Sequence, residues 1–266
     1  MMLHLRFGSM LDLSTKFHRM IAHMRAVAKR ILKRSGQLLG FDVRWYIPRP
    51  EHALSTLLEL YKVDTIFDIG ANIGMSGEYF RNIGFKQKIV SFEPVSRFYR
   101  RLEQKTEKDR LWFCENAAVG DSEGEMEINV SGDSGGASSF LEMTDTIKEN
   151  APELCFTGRE KVKVKTVDSV IDRYYPEGDR LFLKLDVQGY EKQVLEGARE
   201  SLTRIVGMKI EMSVVRSYEQ EPLIYDMLPY LYSLGFRLNG IEAAWSNQVT
   251  QEVYQVDGFL FRPDRL

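Results

Sequence analysis

Thr65-Ile66-Phe67-Asp68-Ile69-Gly70-Ala71-Asn72-Ile73-Gly74 is a short apolar run that turns into a glycine-bearing loop. A second apolar run, Lys88 to Phe92, ends at Glu93-Pro94, and Glu93 stands 23 residues past Gly70. Strand, tight turn, helix, strand, acid is the layout of a site that holds a nucleoside. The glycines let backbone approach a ligand, and the acid can accept bonds from two ribose hydroxyls. Two glycines alone are a weak signal; the apolar run before them, the helix after them and Glu93 strengthen it. The spacing is G-x-x-x-G rather than the dinucleotide G-x-G-x-x-G, and no G-x-x-x-x-G-K-[ST] is present. A nucleoside without a pyrophosphate is therefore favoured over NAD or ATP.

Outward from this stretch the chain alternates. Glu51 to Tyr61 reads as a helix, with Leu54, Leu57 and Leu58 facing inward at spacings of three and four. Met75 to Asn82 is the next helix, ending near Gly84, and Val95 to Lys105 is another, beginning just after Pro94. Leu111 to Cys114 is a third strand. This succession predicts a mostly parallel sheet with helices on both faces.

The middle breaks the rhythm, and a β/loop insert is expected around residues 121–167. Glu125 to Val130 reads as a strand, with Met126, Ile128 and Val130 in one phase, and it enters the Ser/Gly-dense stretch Ser131 to Ser139. That stretch suits a flexible turn or a loop that closes on a ligand, in which case Ser138 and Ser139 would contact the substrate. Lys161, Lys163 and Lys165 alternate with Val162, Val164 and Thr166, a half-exposed strand suited to an edge. Thr166 to Ile171 passes into a short helix or turn. Leu181 to Val187 is a strand, Gln188 to Arg199 a helix, Val206 to Met212 a strand and Pro222 to Leu234 a helix. Val253 to Phe261 is a final strand pair, or a single strand with a break at Gly258.

Two of these strands carry charges that a central parallel strand should not have. Phe182, Lys184 and Asp186 share one face of their strand, and Lys209 and Glu211 share a phase in theirs. Unpaired buried charges cost several kcal/mol. The acids are therefore expected at the carboxyl ends of the strands, in the crevice where open sheets bind ligands, with the lysines deeper and pairing with them. An ion-pair network that only supports neighbouring loops is the competing reading.

Composition narrows the classes. The chain has 266 residues, is 44% hydrophobic and carries a net charge of -2, with no global signal for nucleic acid. Residues 1–50 hold ten Lys/Arg against two Asp, +8, so the remainder carries -10. Ile21, Met24, Val27 and Ile31 make one apolar stripe in a helix expected over 19–35, with Arg25, Lys29, Arg30, Lys33 and Arg34 around it. That helix either covers its own domain or meets a membrane surface, an anionic substrate or an acidic partner. Ile47-Pro48-Arg49-Pro50 separates this N-terminal extension, 1–50, from the main domain, 51–266. Two cysteines, Cys114 and Cys155, are too few for a disulfide framework, and a reducing, cytoplasmic setting is expected, with the membrane surface as a variant. The four histidines, His4, His18, His23 and His52, all precede the site and have no zinc-like spacing, so no metal is expected.

At this point the motifs resemble the FkbM family of S-adenosylmethionine-dependent methyltransferases. Phe67 to Gly74 looks like the family's first motif, Ser91-Phe92-Glu93-Pro94 like its ribose-binding strand end, and Asn116-Ala117-Ala118-Val119-Gly120 like the segment bordering the adenine. Val164 to Ser169 is similar to the stretch before the fourth strand. The most specific match is Leu183-Lys184-Leu185-Asp186-Val187-Gln188-Gly189-Tyr190-Glu191, followed by Val194-Leu195-Glu196-Gly197-Ala198; Glu211-Met212-Ser213 and Val256 to Leu260 also fit. The resemblance spans about residues 60 to 261. It implies a doubly wound, seven-stranded, mostly parallel sheet with an antiparallel last strand, and O-methylation of a hydroxyl on a sugar or a polyketide-like natural product; the basic N-terminus would suit a glycan carrying phosphate or carboxylate, or a lipid-linked sugar at a membrane surface. Carried over by position, Asp68, Gly70, Ala71, Asn72 and Gly74 belong to the cofactor loop, with Gly70, Ala71 and Asn72 lining the methionine part. Glu93 holds the ribose, Asn116 and Ala117 the adenine, and Asp186 faces the reactive end. Asp186 or Glu211, with Lys184 or Lys209 beside it, would orient or deprotonate the acceptor, and Gln188 is a further substrate candidate. A protein- or nucleic-acid-directed methyltransferase and a non-catalytic binding module are the alternatives. The missing Asn-Pro-Pro-Tyr-type motif weighs against base N-methylation, and intact Gly70, Glu93 and Asp186 against decay.

Overall fold

All five residues of β1 (Thr65–Ile69) are buried because the strand lies inside a sheet, paired in parallel with β2 (Lys88–Phe92) on one side and β7 (Leu181–Leu185) on the other. A computed structural model describes residues 50–132, 135–247 and 249–266. The basic helix expected over 19–35 lies outside the described residues.

The remaining elements follow from β1. In chain order they are α1 (Pro50–Leu60), α2 (Met75–Asn82), α3 (Ser96–Thr106), β3 (Trp112–Glu115), β4 (Ala118–Val119), β5 (Gly124–Ser131), α4 (Asp145–Asn150), β6 (Phe156–Lys165), α5 (Val167–Tyr174), α6 (Glu191–Glu196), β8 (Ile205–Ser213), α7 (Ile224–Ser233), β9 (Arg237–Ser246) and β10 (Val253–Phe261). The main sheet has seven strands in the order β3-β2-β1-β7-β8-β10-β9. β10 runs antiparallel to both its neighbours, and the pairs from β3 through β8 are parallel. This is the doubly wound class I methyltransferase sheet, with the last strand in sequence reversed, as the resemblance implies.

Two apolar layers cover the sheet. On one face Phe67, Val90, Leu183, Leu185, Met208 and Ile210 meet Val170 and Ile171 of α5, Val194 and Leu195 of α6, and Met227 and Leu231 of α7. On the other, Ile66, Ile89, Phe182, Val206 and Phe261 meet Leu54 and Leu58 of α1, Phe80 of α2 and Leu102 of α3. Helices on both faces make the strands apolar nearly throughout, so the polar exceptions mark the site.

Three expectations change in detail, and one strand is missed. β6 is the centre of a three-stranded sheet, β4-β6-β5, not an edge. Its lysines face outward and answer the acids of β5: Lys163 lies opposite Glu125, and Lys161 bridges to Glu125 at 2.5 Å. α6 is shorter than Gln188 to Arg199 because Gln188 (φ 57°) and Gly189 (φ 93°) are left-handed and cannot begin a helix. Val253 to Phe261 is one unbroken strand. The hydrophobic pattern does not predict β9: it is an edge strand whose exposed positions include Arg237 and Ile241, so no apolar face stands out.

Candidate active site

The carboxyl ends of β1, β2 and β7 open into a cleft with about 610 Å³ of empty space, part of it open to solvent. Of the sequence-predicted residues, Gly70, Asn72, Glu93, Ser138, Asp186 and Gln188 line it, joined by the apolar Phe92, Val119, Ile128 and Phe140. The β/loop insert contributes Ile128, Gly135, Gly136, Ser138 and Phe140, so the Ser/Gly stretch forms a wall of the cleft.

The loop after β1 is fixed by its neighbours. Gly70 and Ala71 donate backbone N–H bonds to the Phe92 carbonyl at 3.1 and 3.0 Å, and Asp186 N–H bonds the Ile69 carbonyl at 3.2 Å. Gly70 has φ 76°, and a Cβ there would lie 1.9 Å from the Asp186 carbonyl oxygen. The position therefore requires glycine twice over, for its dihedral and for the close approach of β7.

Glu93 is almost fully buried, and its two oxygens each accept one backbone amide, from Asn72 and Val95, both at 2.8 Å. Burial pushes its pKa up to about 7; the two amides and the Lys184 ammonium work in the opposite direction. Each carboxylate oxygen keeps acceptor capacity beyond the single amide it takes.

A second polar group lies around Lys184. Its ammonium is buried, donates to the Gly70 carbonyl at 2.8 Å, and sits 3.3 Å from Asp68 and 3.5 Å from Asp186. Burial opposes the charge, but the Asp186 and Asp68 carboxylates outweigh it and hold the Lys184 pKa above its ordinary value. The pairing of Lys184 with Asp186 matches the strand-phase expectation. Lys209 instead bridges to Asp257 of β10 at 2.8 Å, because β10 pairs directly with β8. Among the described residues no lysine forms an ion pair with Glu211, although the Lys184 charge favours its ionised form. Burial and the neighbouring Asp186, Glu191 and Asp257 raise its pKa well above normal, against the lowering expected from a lysine partner.

Other predicted residues serve the frame. Asp68 is fully buried and receives the Ser91 hydroxyl at 2.9 Å as well as facing Lys184, so it supports the loop from beneath. Ala71 is buried in the core, and Gly74 (φ 85°) precedes α2. The Asn116 side-chain amide donates to the Glu93 and Pro94 carbonyls, both at 2.9 Å, and it is Ala118 and Val119, just past Asn116 and Ala117, that reach the cleft. Ser139 is buried and its hydroxyl donates to the Gln188 carbonyl at 2.7 Å, which fastens the insert to the loop after β7.

Residues missed in the sequence complete that loop. The Glu191 carboxylate, buried and raised to about 8 by burial, accepts the Val187 amide at 2.9 Å and the Gly189 amide at 3.4 Å. The Gln188 side-chain nitrogen donates to Asp186 at 2.8 Å and to Glu211 at 2.7 Å. Gln255 of β10 donates to the same Glu211 oxygen at 3.1 Å. Tyr218, fully buried, places its hydroxyl 2.7 Å from the Gln188 side-chain oxygen. An acid directly after a glycine turn was the available signal for Glu191; Tyr218 lies in a loop with no periodicity to mark it.

The model of the FkbM methyltransferase domain matches residues 68–238, more than half of the chain and the span that builds this cleft. The chain belongs to the FkbM methyltransferase family. Among its relatives, the 2-O-methyltransferase NoeI of Sinorhizobium fredii is 30% identical over 174 residues, 62% of this chain and 70% of that protein. Methyltransferase sdnD of Sordaria araneosa is 27% identical over 202 residues, 68% of this chain and 76% of that protein. A similar solved structure is the magnesium protoporphyrin IX methyltransferase of Synechocystis PCC 6803 with bound S-adenosylmethionine (TM-score 0.42, 9% identity, 88% of this chain and 96% of that one). This FkbM methyltransferase is an S-adenosylmethionine-dependent enzyme. The cleft's chemistry fits that donor: it offers a carboxylate at the end of β2 of the kind that can hold a ribose diol, and apolar walls from Val119, Ile128 and Phe140 of the kind that can hold a purine. Among the described residues no cluster of metal-ligating side chains is present, and no helix is long and apolar enough to cross a membrane.

Proposed function

We propose that this methyltransferase O-methylates a hydroxyl of a sugar or similar small natural product. The observation that carries the reading is the pair of carboxyl groups formed by Asp186, in the wall of the cleft, and Glu211, joined to it by the Gln188 side-chain amide. Methylating an alcohol requires removal of a weakly acidic proton, and a positioned carboxylate contributes roughly 10²-fold or more to such a step. The relative named as a 2-O-methyltransferase supports hydroxyl chemistry.

When bound, S-adenosylmethionine supplies an electrophilic methyl on sulfur. The chain's own residues then do three things. Glu93 receives the ribose hydroxyls, and Gly70 and Asn72 lie along the methionine part. Gly135, Gly136, Ser138 and Phe140 of the insert wall the cleft against water. Asp186 and Glu211 orient the acceptor hydroxyl, which must reach about 3 Å from the methyl, and take its proton.

Calorimetric titration with S-adenosylmethionine and S-adenosylhomocysteine, together with transfer of labelled methyl to a panel of methyl glycosides, tests this. Wild type should bind both nucleosides with micromolar affinity, and Glu93→Ala should lose at least tenfold. At least one glycoside should gain label, and Asp186→Asn should slow that transfer a hundredfold or more. Binding without transfer to any glycoside would sink the sugar reading, and unchanged turnover in Asp186→Asn would remove the role given to that carboxyl.

A further inference from the structure

Gln188 sits where a glutamine is not expected. Its φ is 57°, in the left-handed region that glycine and asparagine usually occupy, and the next residue, Gly189, is also left-handed. The turn is not held by the Gln188 side chain, since Glu191 already binds the Val187 and Gly189 amides. A longer residue kept at such a dihedral points to a use for its side chain.

That side chain is fully engaged. One amide hydrogen goes to Asp186 Oδ1 at 2.8 Å and the other to Glu211 Oε2 at 2.7 Å, while Oε1 faces the Tyr218 hydroxyl at 2.7 Å. The opposite orientation would turn the amide oxygen toward two carboxyl groups, so the neighbours dictate this one. Both hydrogens being spent, Gln188 has no donor left for a substrate. Asp186 already receives Gln188 at Oδ1 and faces Lys184 with Oδ2. Glu211 takes both side-chain amides, Gln188 and Gln255, on Oε2, and its Oε1 has no partner among the described residues.

We propose that Gln188, oriented by Tyr218, is the positioning residue of the carboxyl pair, and that it leaves Glu211 Oε1 as the atom that takes the acceptor's proton. This rests on the hydroxyl-methylation reading. In the step, the acceptor oxygen gains the methyl as the donor's S–C bond breaks to a neutral thioether, and the hydroxyl proton passes to Glu211 Oε1. Asp186, engaged by Lys184 and Gln188, orients the acceptor. The charged and titratable groups around Glu211 are Lys184 from β7, Asp186 just past it, Glu191 from α6, Asp257 from β10 and Tyr218 from the loop after β8.

The test reads Glu211 directly. Protein carrying ¹³C-carboxyl glutamate is titrated by NMR, with Glu211→Gln assigning the signal, in wild type, Gln188→Gly, Gln188→Asn and Tyr218→Phe. Glycine and asparagine both tolerate the left-handed dihedral, and glycine removes the amide while asparagine draws it back by one methylene, so a change in their spectra reports the missing contact rather than a broken turn. Loss of an N–H donor to a carboxylate raises its pKa, so the Glu211 midpoint should move up in both Gln188 variants. It should move less, in the same direction, in Tyr218→Phe. On methyl glycosides, kcat should rise with pH through the Glu211 midpoint and shift with it in Gln188→Gly, while KM for S-adenosylmethionine stays within twofold. An unmoved midpoint in all three variants would overturn the positioning role. A rate profile that ignores the midpoint would overturn Glu211 as proton acceptor. Should wild type methylate no glycoside, the function reading fails by itself and the titration still decides whether Gln188 sets Glu211.

Discussion

Asp68 and Lys184 face each other across the β1–β7 ladder, in register, and both are buried. A lysine in a strand covered on both faces is legible in the sequence because strand phase leaves it nowhere to go; its partner is not, since register between strands 116 residues apart in sequence is set by the fold. Asp68 reads in isolation as part of a ligand loop, and only the pairing shows that it supports the loop from below. Removing one partner leaves an uncompensated buried charge, which costs about 3–5 kcal/mol. Lys184→Met should therefore lower unfolding free energy by roughly that amount in urea, and adding Asp68→Asn to it should recover part of the loss. A loss under about 1 kcal/mol in the single variant would show that water reaches Asp68 and that the pair is not sealed.

Elements were legible where their period was clean. β1, β2 and β7 are continuous apolar runs, and α2, α3 and α5 carry stripes bounded by recognisable turn residues. The start of α5 shows the local chemistry: Thr166 accepts the Ser169 amide at 3.0 Å and Ser169 returns a bond to the Thr166 amide, closing both ends of the first turn. The edge strand β9 escaped because an edge has no two-sided burial to impose a pattern, and α6 was overextended because the dihedral of Gln188 is a property of the turn, not of composition. Asp168 does work that no pattern reveals. From the first turn of α5 it accepts the Glu200 amide at 3.1 Å, and the Ser201 amide and hydroxyl at 2.9 and 2.5 Å, tying α5 to the turn that follows α6. Asp168→Ala leaves those donors without their acceptor and should cost about 1–3 kcal/mol by chemical denaturation. Asp168→Asn should retain a substantial part of the stability. Equal losses in the two variants would mean that charge rather than hydrogen bonding holds the turn.

The whole molecule concentrates carboxyl groups at one end of its sheet. Glu93, Glu191, Glu211 and Glu221 all have raised pKa values, each mainly from burial, and Lys184 is the buried cation among them. The folded protein thus keeps protons on Glu93 up to about pH 7 and on Glu191 up to about pH 8, whereas the unfolded chain loses them near 4.5. Their contribution is greatest below the unfolded value and falls as pH rises toward 8. Glu115 acts in the other sense: burial raises it, but Lys165 and Tyr174 outweigh that and hold it low, so its contribution disappears in acid. Stability of the unliganded protein should therefore peak at roughly pH 4 to 5 and decline toward pH 8. If Glu93 holds the ribose as proposed, the diol donates hydrogen bonds to its carboxylate and favours the ionised form, so ligand and proton compete at that site. S-adenosylhomocysteine should bind more tightly as pH rises through about 7, up to tenfold per unit, and should raise the melting temperature more at pH 8 than at pH 6. Calorimetry at pH 6 in two buffers of different ionisation enthalpy should register proton release on binding, and Glu93→Gln should abolish both the release and the pH dependence. Affinity that is flat between pH 6 and 8, with no proton released, would place the ribose away from Glu93 and return that carboxyl to the scaffold.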